Sequence, residues 1–213
     1  VADEVRAALQ RQQRSEADFL QRCFGLALRQ LEEIFCDMFG LYLFGPSFLF
    51  AFDYFLAPGG NGRVEDYPSD TDRVGYLQTG ATALGFADDA AIFTRWLDAS
   101  PVPGPSASAL ALTDSAVRVV VPRVTARAFD ILAQAGVRPP DAAVVARVLA
   151  AFGRQEPDGQ GATLGEIITA GWRYVDREGG LTEESRHEQY QMLGELMLKS
   201  VEVSEFRLRV ADA

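Results

Sequence analysis

Residues 31–56 read LEEIFCDMFGLYLFGPSFLFAFDYFL, and the periods in this stretch decide the fold. Upstream and through its first third, Phe19, Leu20, Cys23, Phe24, Ala27, Leu28, Leu31, Ile34, Phe35 and Met38 recur at three and four. That spacing marks one buried face of a helix, predicted over residues 2–39. Gly40 and Gly45-Pro46 interrupt the pattern, and a proline in the first turn suits a second helix from Pro46 to Leu56. The apolar run Leu41–Leu56 is broken by Gly45-Pro46 and carries Asp53. It falls short of the roughly 20 apolar residues a bilayer span requires, which argues for a core helix and against a membrane segment.

Downstream, Pro58-Gly59-Gly60-Asn61-Gly62 reads as a loop. Ser69, with Asp72 three residues on, starts a helix that buries Val74, Leu77, Ala81 and Leu84 and stops at Gly85. A further helix is expected from Ala87 to Asp98, burying Ile92, Phe93, Trp96 and Leu97. Residues 100–109, rich in proline and glycine, read as a linker between a helical half, 1–99, and a mainly helical C-terminal subdomain, 110–213. The β-branched run Val117–Val121 reads as a short strand. Helices follow at 124–135 and 141–152. Thr163 and Glu166 have the spacing of a capping box opening a helix to Asp176. Thr182 opens a last helix to Lys199, and the tail 201–210 either pairs with 117–121 or continues that helix. The fold class is mainly α: a helical bundle with at most a two-stranded β element in its C-terminal half.

Composition narrows the function. The 213 residues are 48% hydrophobic and carry a formal charge of -10, which fits a soluble globular chain and argues against nucleic-acid binding. Cys23 and Cys36 read as two buried free thiols in a reducing compartment, and no basic and apolar leader opens the chain, so a cytoplasmic location is expected. The chain opens on Val1, consistent with a fragment or a processed product. His187, in the polar run SRHEQYQ, reads as a surface residue. Asp158-Gly159-Gln160-Gly161 lacks the alternating ligands of a calcium loop and reads as a turn.

Glu33 and Asp37, at i and i+4, share one helical face. Spacing alone admits two readings: a solvated acidic pair beside the core stripe, or a metal ligand backed by a carboxylate. This E-x-x-x-D helix is followed by Tyr67-Pro68-Ser69-Asp70-Thr71-Asp72-Arg73-Val74-Gly75-Tyr76-Leu77. Together they resemble the downstream half of gluzincin-type zinc metallopeptidases related to the CAAX-processing and heat-shock peptidases. The similarity covers roughly residues 20–98. It implies that Glu33 is a zinc ligand, that Asp37 orients a ligand histidine, that Tyr67 replaces an oxyanion-stabilising histidine, and that Arg73 braces the acidic helix through Asp37 or Glu33. The chain has no H-E-x-x-H, the two-histidine half of such a site. Two functions are therefore expected. One is a metal-free, metallopeptidase-derived interaction or regulatory module with a protein partner. The other is the C-terminal half of a zinc peptidase acting on a peptide substrate, its H-E-x-x-H segment and zinc lying outside this chain.

Overall fold

A computed structural model of the chain describes residues 2–55, 64–96, 107–177 and 183–211. Seven α-helices run α1 Ala2–Phe44, α2 Pro46–Phe55, α3 Asp70–Ala83, α4 Ala107–Gln134, α5 Ala142–Gly153, α6 Leu164–Arg177 and α7 Glu183–Ala211, with a 3-10 helix at Asp89–Trp96 between α3 and α4. The mainly α class is as expected. The two-stranded element is not found among the described residues.

Helix α1 passes through Gly40 without a break and ends at Gly45, whose φ of 55° lets the chain turn directly into α2. A side chain at Gly40 would fall on the Phe48 ring, so the missing Cβ is what lets α2 fold back against α1. The loop 58–62, Leu97 and the linker residues 100–106 lie outside the described residues, as does the side chain of Trp96.

The expected strand is a correction. Val117–Val121 lies inside α4, and the three valines in a row follow a helical period: Val117 and Val121, one turn apart, are buried, while Val119 is 79% exposed. Pro122 sits within the same helix. Its missing N–H deprives the Arg118 carbonyl of its usual donor without ending the element. Helix α4 starts at Ala107, inside the segment read as linker, and the separate helix expected at 124–135 is its second half.

Helix α4 lies alongside α1 in the same direction. At one end Thr113 Oγ1 donates to the Cys23 carbonyl at 3.4 Å; at the other, the Tyr42 hydroxyl donates to the Val137 carbonyl at 3.2 Å. Ile34, Met38 and Leu41 from α1, Leu49 and Phe52 from α2, Val74 and Leu77 from α3, Phe93, and Val117 and Val121 from α4 form one core. Val117, Val121 and Ala128, grouped by sequence with the C-terminal part, belong to this first core. A second core joins Val148, Leu149 and Phe152 of α5, Ile167 and Ala170 of α6, and Leu193 and Leu196 of α7.

The two cores meet where α6 abuts the end of α1. Thr169 Oγ1 donates to the Phe44 carbonyl at 3.2 Å, Arg173 binds Asp89 at 2.8 and 2.9 Å, and Trp172 stacks on Phe50 with centroids 6.0 Å apart. The capping box is present: Thr163 N donates to Glu166 Oε2 at 2.7 Å, and Glu166 N donates to Thr163 Oγ1 at 3.4 Å. Glu166 also accepts from Asp141 N at 3.0 Å, which ties the start of α6 to the start of α5. Thr163→Ala is expected to lower stability by about 1 kcal/mol, read from urea denaturation, because the Glu166 N–H loses its cap.

The turn at 158–161 is more than a turn. Asp158 is buried, holds both nitrogens of the Arg147 fork at 3.1 and 3.2 Å, and its N–H donates to Ser200 on α7 at 2.8 Å. Helix α7 continues to Ala211, so the tail 201–210 extends the helix and leaves Phe206, Leu208 and Val210 exposed. Thr182 lies outside the described residues. No helix of the described residues is long and apolar enough to cross a membrane.

Candidate functional site

Helix α1 carries a polar stripe through its otherwise apolar middle. Gln30, Glu33 and Asp37 stand at i, i+3 and i+7, which places them on one side of the helix. Facing them are the segment Val64–Ser69 and the first turn of α3. That turn is fixed locally. Ser69 is extended at φ -60° and ψ 148°, its Oγ accepts from Asp72 N at 3.1 Å and donates to Asp72 Oδ2 at 2.7 Å, and Arg118 of α4 holds the other Asp72 oxygen at 2.9 Å. With the cap held on both sides, Arg73 in the first turn points back at α1.

The four residues singled out from sequence come together. Arg73 Nε donates to Asp37 Oδ2 at 2.5 Å and Arg73 Nη2 to Asp37 Oδ1 at 2.8 Å, a two-pronged pair. Glu33 is more distant, 3.9 Å from Arg73 Nη2. The Arg73 guanidinium lies over two rings, with its carbon 4.9 Å from the centre of Phe52 and 5.5 Å from that of Tyr67. Such stacking suits the flat guanidinium cation better than an ammonium. Asp37 is only 5% exposed, while Tyr67 keeps part of its ring in solvent.

Burial pushes the Asp37 carboxyl above its ordinary value of 3.8, and the hydrogen-bonded Arg73 cation offsets part of that rise. Burial pulls Arg73 down, but Asp37, with Glu33 and Tyr67 beyond it, outweighs that and leaves the guanidinium more basic than usual. The arginine stays a cation.

Three residues that sequence reasoning passed over complete the site. Gln30 is fully buried, with Nε2 donating to the Glu65 carbonyl at 3.4 Å. Glu65 and Asp66 are held to α1 by Arg22 at 2.8 Å and Arg29 at 3.4 Å. The available signal was the spacing: Gln30 is one turn before Glu33, and it and Asp37 are the polar residues among the buried positions described on this helix.

Asp37 cannot orient a metal ligand while it holds Arg73. Asp37 has both oxygens on Arg73, leaving Glu33 as the one carboxylate of the pair without a close cation. No group of three or more His, Cys, Asp or Glu able to hold a metal occurs among the described residues. His187 is exposed on α7, against the second core, and hydrogen bonds with Gln191 at 3.0 Å. The cysteines differ from expectation. Cys23 is buried, its Sγ 3.7 Å from the Ala109 carbonyl, but Cys36 is exposed, because it falls between the core positions Ile34 and Met38 and turns outward. Comparison of the chain with family models, curated proteins and solved structures found no match.

Proposed function

We propose that this chain is a metal-free, metallopeptidase-derived helical module that works by binding a protein partner, in the cytoplasm. The observation that carries this reading is the Asp37–Arg73 pair. The resemblance gives Asp37 the task of orienting a ligand histidine, and here both of its oxygens are committed to the partly buried Arg73. The acidic helix is braced as a platform, with the Glu33 carboxylate and the Tyr67 ring at its accessible edge. Under this reading Tyr67 and Arg73 shape a docking site and have no catalytic task.

A second reading has one observation in its favour. Glu33 keeps a carboxylate 37% exposed, 3.9 Å from its nearest arginine nitrogen, free to turn toward a metal carried by another segment. It would then be the third ligand of a zinc peptidase, with Asp37 behind it and Tyr67 donating to an oxyanion. Zinc and intact-mass analysis of the native polypeptide, purified with whatever segments accompany this chain, separates the two. The module reading expects no stoichiometric zinc, in wild type and Glu33→Gln alike. One zinc per chain, lost in Glu33→Gln, would replace it with the peptidase reading.

A further inference from the structure

The buried amide of Gln30 is the least satisfied group in the described part of the protein. Its Oε1 is sealed from solvent and accepts no hydrogen bond, while its Nε2 meets the Glu65 carbonyl at 3.4 Å. A buried acceptor left open costs about 1–3 kcal/mol, so a residue that keeps one calls for an explanation. Rotating the amide would set Oε1 against the Glu65 carbonyl, two acceptors face to face, and settle nothing.

The surroundings say what kind of group is missing. One turn along α1 stands Glu33, and Cβ atoms at this spacing are about 5–6 Å apart. Beyond it Asp37 is neutralised by Arg73. Counting Glu33, Asp37 and Arg73, the cluster carries a net charge of -1 beside one unmet acceptor. Over it runs the segment Val64–Ser69, whose Tyr67 ring already faces one guanidinium and leaves part of its surface to solvent. That segment is fastened by Arg22–Glu65 and Arg29–Asp66, pairs whose side chains are 40–66% exposed. Exposed pairs of this kind contribute roughly 0–1 kcal/mol each, so these two bridges add little resistance to an incoming group. An incoming cation can also take over Glu65 and Asp66 from α1.

We infer that Gln30, Glu33 and Tyr67 form a receptor for an arginine side chain of a partner protein, which enters under Glu65–Tyr67. The inference rests on the module reading above and names its ligand chemistry. A guanidinium is planar and offers donors in a fork, so one group can give a hydrogen bond to Gln30 Oε1 and a second to the Glu33 carboxylate while stacking on Tyr67. An ammonium lacks the fork and the flat face. The charge of -10 on the chain favours such a partner at a distance.

The test is an NMR titration of the 213-residue chain with three probes: Nα-acetyl-arginine amide, its lysine counterpart and its neutral citrulline counterpart. The arginine probe is expected to move the Gln30 side-chain amide and the Tyr67 backbone amide; lysine binds more weakly and citrulline does not bind. Glu33→Gln is expected to weaken arginine binding about tenfold. Gln30→Leu is expected to lose binding as well, and yet to raise the melting temperature, because the unmet acceptor is gone. No shift with the arginine probe, or equal shifts with lysine or citrulline, would overturn the assignment. So would a Gln30→Leu protein that binds arginine like wild type, since Oε1 would then be no more than a water site. Zinc and mass analysis of the native polypeptide tests the module reading separately, so the two can fail independently.

Discussion

Replacing Arg73 by methionine is expected to destabilise the protein by about 3–5 kcal/mol, measured by urea denaturation, because it strands a buried carboxylate. Asp37 is 5% exposed and its two oxygens have Arg73 on them, so no water stands ready to replace the arginine. With the guanidinium gone, burial acts on the Asp37 carboxyl without opposition and its pKa climbs further than in wild type. The reverse substitution, Asp37→Leu, is expected to cost less, since Arg73 is then a partly buried cation beside the Phe52 and Tyr67 rings that keeps Glu33 at 3.9 Å as a carboxylate partner. The double variant Asp37→Leu with Arg73→Met removes both charges and is expected to regain most of the loss, because a buried pair as a whole adds little over apolar residues of like volume. The cycle of four proteins therefore gives a large coupling energy. If each single change cost less than about 1 kcal/mol, the pair would behave as a solvent-screened surface bridge and the platform would not be rigid.

Gly165→Ala is expected to cost about 1–3 kcal/mol by thermal or urea denaturation, towards the upper end of the range for overpacking. A Cβ at this position would stand 2.5 Å from the Leu43 carbonyl oxygen and 3.2 Å from the Phe44 Cα, and that backbone cannot swing away like a side chain. To make room, the start of α6 must move off the end of α1, and the Thr169 hydrogen bond to the Phe44 carbonyl stretches with it. Gly75→Ala in α3 is the matched control. Nothing lies within 4 Å of its Cβ, so the ordinary helical advantage of alanine over glycine is expected to leave it neutral or slightly stabilised. Equal effects at the two glycines would mean that α6 and α1 do not touch as closely as described.

The elements that were legible from sequence are those whose apolar period matched a single packed face. Helices α2, α3 and α5 fall within a residue or two of expectation, and the capping box marked the start of α6 because its two side chains act locally. The misreadings have one cause: tertiary packing outweighed local preference. Val117–Val121 has the β-branched composition of a strand, yet a helix buries Val117 and Val121 against α1, and that burial decides. Gly40 reads as a stop, yet the space it leaves is filled by the Phe48 ring. At the site, Glu33, Asp37, Tyr67 and Arg73 were visible as an ordered pair of motifs, and the structure brings them together. Gln30 was invisible because a lone glutamine on a helix carries no motif; only its burial makes it conspicuous.

Helix α1 has a consequence of its own. Residues 16–22 are exposed around the whole circumference, while Ile34, Met38 and Leu41 further along the same helix are sealed. A helix of 43 residues is about 65 Å long, more than the core it serves needs. Its backbone is continuous, but what keeps it helical changes along it: its own backbone hydrogen bonds over residues 16–22, shared packing further on. Such a helix has no single opening free energy. Its tertiary support begins where α4 joins it beside Cys23.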